Sequence, residues 1–383
     1  MDDVLRRSQA LVESFEEIVR AELPDDADIF DAHVHLGTDI DGMVGKLDDL
    51  LRVQTRAGIS RSFMFCLDEP DRHPGFRAPN DRTLDFAERS EGALVPFVRL
   101  DLGESPVEEA VRCLDRGARG IKLHPRAQKF LLDDERLAPI FELAADRNVP
   151  ILIHGGRGLP PIADQLALLM DRYEAQLIVA HAGIADLAAL AHHFGGRPNV
   201  FFDTSVWSPI DLLDLYRLVS PEQVLYASDY PYGRQPASLL IALRTARMSG
   251  LDEAQVRAML GGSARRIAAG ERAFELTAPR GIASLATPIT FARIHQYLSM
   301  ATPLLWMRQA DTIGVLGLAL NACDARSNGH REETEQIREL LLVSRDLWRV
   351  LPETDDDVDR AGVARAAFRL LHLAHALTVT SGA

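Results

Sequence analysis

Five side chains are spaced so that they could hold and use a metal ion. His33 and His35 stand two apart in Phe30-Asp31-Ala32-His33-Val34-His35. His154 follows Ile151-Leu152-Ile153, His181 follows Leu177-Ile178-Val179-Ala180, and Asp229 follows Leu225-Tyr226-Ala227-Ser228. Each closes a short apolar or β-branched run of the kind that forms a buried strand. Side chains two apart on a strand point to the same side, so His33 and His35 share a face. By the same parity Asp31 lies one layer down as a support residue, while Ala32 and Val34 face the helices. Imidazole nitrogens with one carboxylate match zinc or another borderline divalent metal. A lone strand-end histidine is more often a hydrogen-bonded structural residue; five such positions at matching strand ends make a metal site the better reading.

The elements that must position them follow a regular plan. Strand-like runs recur near Ile29–His35, Ser62–Leu67, Leu94–Leu100, Gly120–His124, Ile151–His154, Leu177–His181, Val200–Thr204 and Val224–Asp229, with helix-length segments between them. Helix starts are expected at Pro106, Asp133, Pro161, Ile184 and Pro209. Alternating β and α segments need a parallel sheet, and eight repeats close a (β/α)8 TIM barrel, whose active sites lie at the C-terminal mouth. A doubly wound open sheet would carry a Gly-rich phosphate turn after its first strand, where this chain has HVHLGTDIDG instead. Met1 to Leu23 is an amphipathic helix, with Val4, Leu5, Leu11, Val12, Phe15, Ile18, Val19 and Leu23 at helical spacing and Pro24 ending it. From about Leu276 the pattern becomes all-helical: Ile289 to Cys323, Glu332 to Val350 and Val358 to Val379. Ser327-Asn328-Gly329 and Pro352-Glu353-Thr354 are the breaks, and Asp355 to Asp357 read as dipole-complementing residues after a Thr354 cap rather than as metal ligands. The expected division is therefore 1–275 for the barrel, including the 1–24 helix, and 276–383 for a helical appendage.

The chain has 383 residues and a net charge of −14, with 47% hydrophobic and 26% charged residues. That is the balance of a soluble globular protein. The acidic charge, without a basic stripe, argues against a nucleic-acid partner. No run reaches the roughly 20 apolar residues of a membrane span, and the first segment lacks the apolar stretch of a signal peptide. Three scattered cysteines argue against a disulfide framework and for a reducing, cytoplasmic setting. The expected partner is a small-molecule substrate. A homo-oligomer, in the form of a dimer through the C-terminal helices, is the expected assembly.

The ordered set DAHVH, GIKLHP, ILIHGG, LIVAHAG and LYASDYP resembles the amidohydrolase superfamily, in particular the amidohydrolase-related group that includes aminocarboxymuconate-semialdehyde decarboxylase-like enzymes. The resemblance spans roughly residues 28–270, and Gly262–Ile267 resembles the short helix that closes such barrels. It implies that His33, His35, His154 and Asp229 bind the metal. It further implies that His181 is the catalytic base or polarises the substrate carbonyl, with Asp229 able to take a proton as well. Binuclear members place a carbamylated lysine on strand four, a part Lys122 could play with His154 and His181 on a second metal. The preferred reading is one zinc per chain, with manganese or a second metal as alternatives. The DNA-nuclease type within the superfamily carries a glutamate motif near strands three and four that is absent here.

Substrate clues come from cations at strand ends. Lys122 and His124 should both point inward, and Arg99, Arg126, Lys129, Arg157 and Arg234 fall at or just after strand ends. Lys122, His124, Arg99 and Arg157 are the expected substrate-binding residues, since guanidinium grips carboxylates bidentately. The loop Asp68–Arg82 is long enough to serve as a lid. Trp207 fits core packing better than a pocket wall. His192 and His193 suit a helix C-terminus, and His372 and His375, three apart on a helix, lack an evident third ligand. These residues and the resemblance lead to a metal-dependent hydrolase of an amide, ester or lactone. A non-oxidative decarboxylase of a carboxylated ring or muconate-like acid is the alternative, and an inactive scaffold a third.

Overall fold

The structure is a computed structural model, and it describes residues 2–272, 274–306, 312–324, 330–351 and 357–381. Eight parallel strands form its centre: β1 (Ile29–Thr38), β2 (Ile59–Cys66), β3 (Leu94–Arg99), β4 (Gly120–Leu123), β5 (Pro150–Ile153), β6 (Gln176–Val179), β7 (Val200–Asp203) and β8 (Val224–Leu225). Each strand pairs in parallel with the next in sequence, and a two-residue strand, Val44–Gly45, folds back antiparallel on the end of β1. The last strand returns to the first. Ala32 N–H donates to the Tyr226 carbonyl at 2.8 Å, His35 N–H to that of Tyr230 at 2.7 Å, and Asp229 N–H to that of His33 at 2.9 Å. These bonds close the barrel and fix Asp229 against His33 through the backbone.

The sequence dictates this because the strands are apolar on both faces. Val98, Ile121, Ile151, Leu177 and Val200 pack outward against the helices. Phe30, Phe63, Phe97, Leu152, Ile178 and Phe201 fill the interior, as expected where helices cover a parallel sheet. The helix Ser263–Ala268 plugs the N-terminal end with Ala264 and Ile267. Gly261 lets that turn approach β1, since a Cβ there would lie 2.9 Å from the Phe30 nitrogen. The fold is thus the (β/α)8 barrel the repeats implied, followed by a helical C-terminal region.

Parity along β1 departs from simple alternation. Asp31 pairs with Ser62 but Val34 with Met64, three steps on β1 against two on β2. Ala32 faces inward with Phe30, two residues before it, rather than against the helices as expected, and the bulge switches the parity after it. Val34 does pack outside, as expected. An extra residue re-aims the side chains that follow it, and His33 and His35 continue from this point into the mouth.

The N-terminal helix Asp2–Glu22 buries Val12, Phe15 and Val19 against the helices Ala237–Met248, Arg331–Val350 and Asp357–Thr380. The expected long helix from Ile289 is instead two, Ile289–Trp306 and Thr312–Cys323, packed on each other. The segment between them, the two expected breaks and the Thr354 cap lie outside the described residues. One apolar cluster runs without interruption from the outer barrel layer into these helices. Among the described residues no helix is long and apolar enough to cross a membrane.

Candidate metal centre

Three of the expected ligands meet at the mouth. His33 Nε2 and His35 Nε2 are 3.1 Å apart, and each lies 3.3 Å from Asp229 Oδ1. The other ring nitrogens fix the tautomers. His33 Nδ1 faces Asp203 Oδ2 at 2.7 Å, and His35 Nδ1 faces the Cys66 carbonyl at 3.5 Å. An Nδ1–H donated outward leaves the Nε2 lone pair on each ring pointing into the triangle. Three lone-pair donors this close repel one another unless a cation or proton is shared among them. Donors about 2.1 Å from a tetrahedral centre stand about 3.4 Å apart, close to the observed edges. Burial holds both imidazoles far below their ordinary pKa, with Lys122 adding to the effect, so both are neutral as ligands must be. Burial also raises Asp229 to about 6, leaving it mostly ionised at neutral pH. The residues present fit a divalent ion.

His154 stands beside this group, outside the set whose donor atoms lie within 4.8 Å of one another. Its ring is 4.7 Å from His181 and stacks on His124 at 4.0 Å. Its Nε2 is buried and finds no hydrogen-bond partner among the described residues, and desolvation favours the neutral ring. Gly156 makes room for this pair: a Cβ there would lie 2.9 Å from ring carbons of both His154 and His181. His181 Nδ1 is 2.9 Å from the Ser205 carbonyl and from Ser205 Oγ. If Nδ1 donates to that carbonyl, Nε2 is left as a proton acceptor.

Sequence reasoning missed the residue that organises these rings. Asp203, at the end of β7, is fully buried; one oxygen takes His33 Nδ1, and the other accepts from His181 N–H at 2.8 Å and Ser205 N–H at 3.0 Å. Its signal was an acidic residue ending the apolar run Val200-Phe201-Phe202-Asp203. Asp31 behaves as the support residue expected, accepting from His33 N–H at 3.2 Å, Ser228 N–H at 2.9 Å and Gln235 Nε2 at 3.1 Å. Burial lifts its carboxyl to about 7.

The cations divide. Lys122 is buried with Nζ 4.7 Å over the Phe65 ring and no hydrogen-bond partner among the described residues, and desolvation brings it down to about 7. Arg99 is equally buried over Phe76 at 4.9 Å, with Nε and Nη2 unpartnered among the described residues and Asp68 Oδ1 3.7 Å from Nη2. Its charge and that of Lys122 both reach His35 and His124. His124 also accepts from Ala127 N–H at 3.3 Å, capping a helical turn. Arg157 is exposed, and its charge reaches Asp211 and His375. Arg126 packs along Gly158, and Lys129 is exposed. The expected lid is shortened, because Arg77–Arg89 is helical. Trp207 packs 4.8 Å from Phe368, and the three cysteines are buried and free. A second cluster joins exposed His73 with half-buried Asp101 and Glu104.

Fold and site together define a parallel-barrel protein with a candidate metal site at its C-terminal mouth. The chain belongs to the amidohydrolase family, whose model matches residues 30–267, more than half of it. Solved structures share the fold at low identity. The IDCase of Metarhizium anisopliae matches at 17% identity and a TM-score of 0.50, covering 64% of this chain and 98% of its own. A 2,6-dihydroxybenzoate decarboxylase matches at 16% and 0.50, covering 63% and 99%. The 4-oxalomesaconate hydratase of Rhodopseudomonas palustris matches at 18% and 0.50, covering 63% and 96%. No curated protein matches the chain by sequence.

Proposed function

We propose that the chain is a metal-dependent hydrolase that cleaves an amide, ester or lactone bond in a small carboxylate-bearing molecule. The triangle formed by His33, His35 and Asp229 carries this reading, because a shared divalent cation accounts for three inward donors 3.1 to 3.3 Å apart with neutral imidazoles. One divalent ion is the stoichiometry the reading requires, zinc being the choice the donor set favours, with His154 as the further donor. When bound, such an ion supplies Lewis acidity and a water whose pKa falls to about 7.

The chain's own groups do the rest. Asp203 holds His33 in the donor tautomer and, through the His181 and Ser205 N–H groups, sets the angle of the loop that carries His181. His181, whose ring centroid is 5.1 Å from that of His33, takes a proton from water and returns it to the leaving group in this reading. Asp229 is a second proton acceptor. Arg99, Lys122 and His124 face the substrate as cations and hydrogen-bond donors, and Arg157 serves at the outer rim. A carbamate on Lys122 bridging a second ion is the alternative arrangement, and a near-neutral amine is the form that chemistry requires. The unpartnered nitrogens of Arg99 and Lys122 also favour a second reading, in which a carboxylate held there is lost as carbon dioxide. The reading includes a cytoplasmic setting and a homodimer through the C-terminal helices, where Ile289, Met300 and Leu318 are exposed.

A screen of lactones and carboxylated aromatics tests it. His181→Ala should lower turnover about 10²- to 10⁴-fold with metal content unchanged. Release of carbon dioxide without uptake of water would replace hydrolysis by decarboxylation. Turnover indifferent to His181 would remove its role.

A further inference from the structure

Next to the barrel mouth is a cavity of about 440 Å³, within the range of small-molecule sites. One wall is made by the loops after β1 and β8, with Tyr232 and Arg234. The facing wall is the helix Asp357–Thr380, with Arg365, Phe368, Arg369 and His372. That helix lies beyond the family-matched residues 30–267.

The lining has a definite chemistry. Three guanidinium groups face a single carboxylate, Asp41, among the described lining residues, and Tyr232 and Phe368 supply flat apolar surface. His372 is 6% exposed, and its Nε2 finds no hydrogen-bond partner among the described residues. A buried polar atom in that state on a cavity wall is suited to a ligand partner. The cavity borders the metal centre across Tyr232, a lining residue whose ring meets that of His35 edge-on at 6.0 Å. The two loops of its inner wall are those that follow the donors His35 and Asp229.

We propose that this cavity is the outer end of the substrate site and grips the carboxylate of a flat organic acid with Arg234, Arg365 and Arg369, its body lying against Tyr232 and Phe368. Guanidinium groups bind carboxylates through paired charge-assisted hydrogen bonds. The word substrate rests on the metal-centred reading above, whereas the carboxylate binding does not.

The test is calorimetric titration of the full chain with benzene-1,3-dicarboxylate, after stripping metal with a chelator so that the barrel ligands cannot hold the probe through an ion. One saturable site is expected. Arg369→Glu should weaken it at least about tenfold, Arg369→Lys less, and His33→Ala/His35→Ala within about twofold. Circular dichroism checks each fold, and Arg365→Gln serves if Arg369→Glu does not fold. Reloading metal should shift the affinity, since a ligand reaching the mouth senses the ion. No saturable binding, or binding indifferent to both arginines, would overturn the proposal, as would binding lost only in the double histidine variant. Arginine-dependent binding that ignores metal would mark a separate carboxylate site and overturn its place in the substrate path. A chain that binds no metal yet keeps arginine-dependent binding would sink the hydrolase reading alone.

Discussion

Asp203 touches both halves of the candidate site, fixing the His33 tautomer with one oxygen and the His181 backbone with the other. A carboxylate in this position raises the basicity of the imidazole it holds. Asp203→Asn keeps the shape but loses the charge, and should lower metal affinity about 10- to 100-fold, read by competition with a chromogenic chelator. Unchanged affinity would mean that His33 is oriented by packing alone. The candidate donors His33, His35 and Asp229 were legible in the sequence because they stand at the ends of apolar runs. Asp203 was not, because its partner His33 lies 170 positions away and only the closed barrel brings them together. For Arg157 the sequence offered only a place after a strand end; the fold adds that it is exposed and that its charge reaches Asp211 and His375.

Among elements, all eight strands were readable, since burial on both faces leaves continuous apolar runs. The β1 bulge was not. Phe30-Asp31-Ala32-His33-Val34-His35 alternates cleanly on paper, and only pairing with β2 reveals the extra residue. The N-terminal helix was readable from its periodicity, but not what it packs against. Phe15, 1% exposed, anchors it between the barrel's outer helices and the C-terminal region. Phe15→Ala should cost about 3–5 kcal/mol in chemical denaturation. A loss below about 1 kcal/mol would mean the helix detaches without consequence.

At the scale of the molecule, the helical region stores two buried histidines on one helix. Burial lowers His372 to about 4 and His375 well below its ordinary value. Both folded-state values lie below the unfolded value near 6.5, so between these limits the unfolded chain binds more protons. The contribution of these two groups to stability should therefore be full above about pH 6.5 and shrink as pH drops towards 4, so His372→Leu should lose less stability than the unaltered chain over this window in thermal melts. A pH dependence left unchanged by His372→Leu would contradict the burial. Histidine spacing alone could not have told a ligand pair from a packed one; packing against His295, 4.4 Å from His375, settles the surroundings.

The central claim is that the mouth of the barrel holds a metal ion, and elemental analysis of protein purified without added metal tests it most directly. The account predicts about one divalent ion per chain, zinc foremost, lost in the His33→Ala/His35→Ala variant. A chain that carries no metal and takes none up on reconstitution would contradict it.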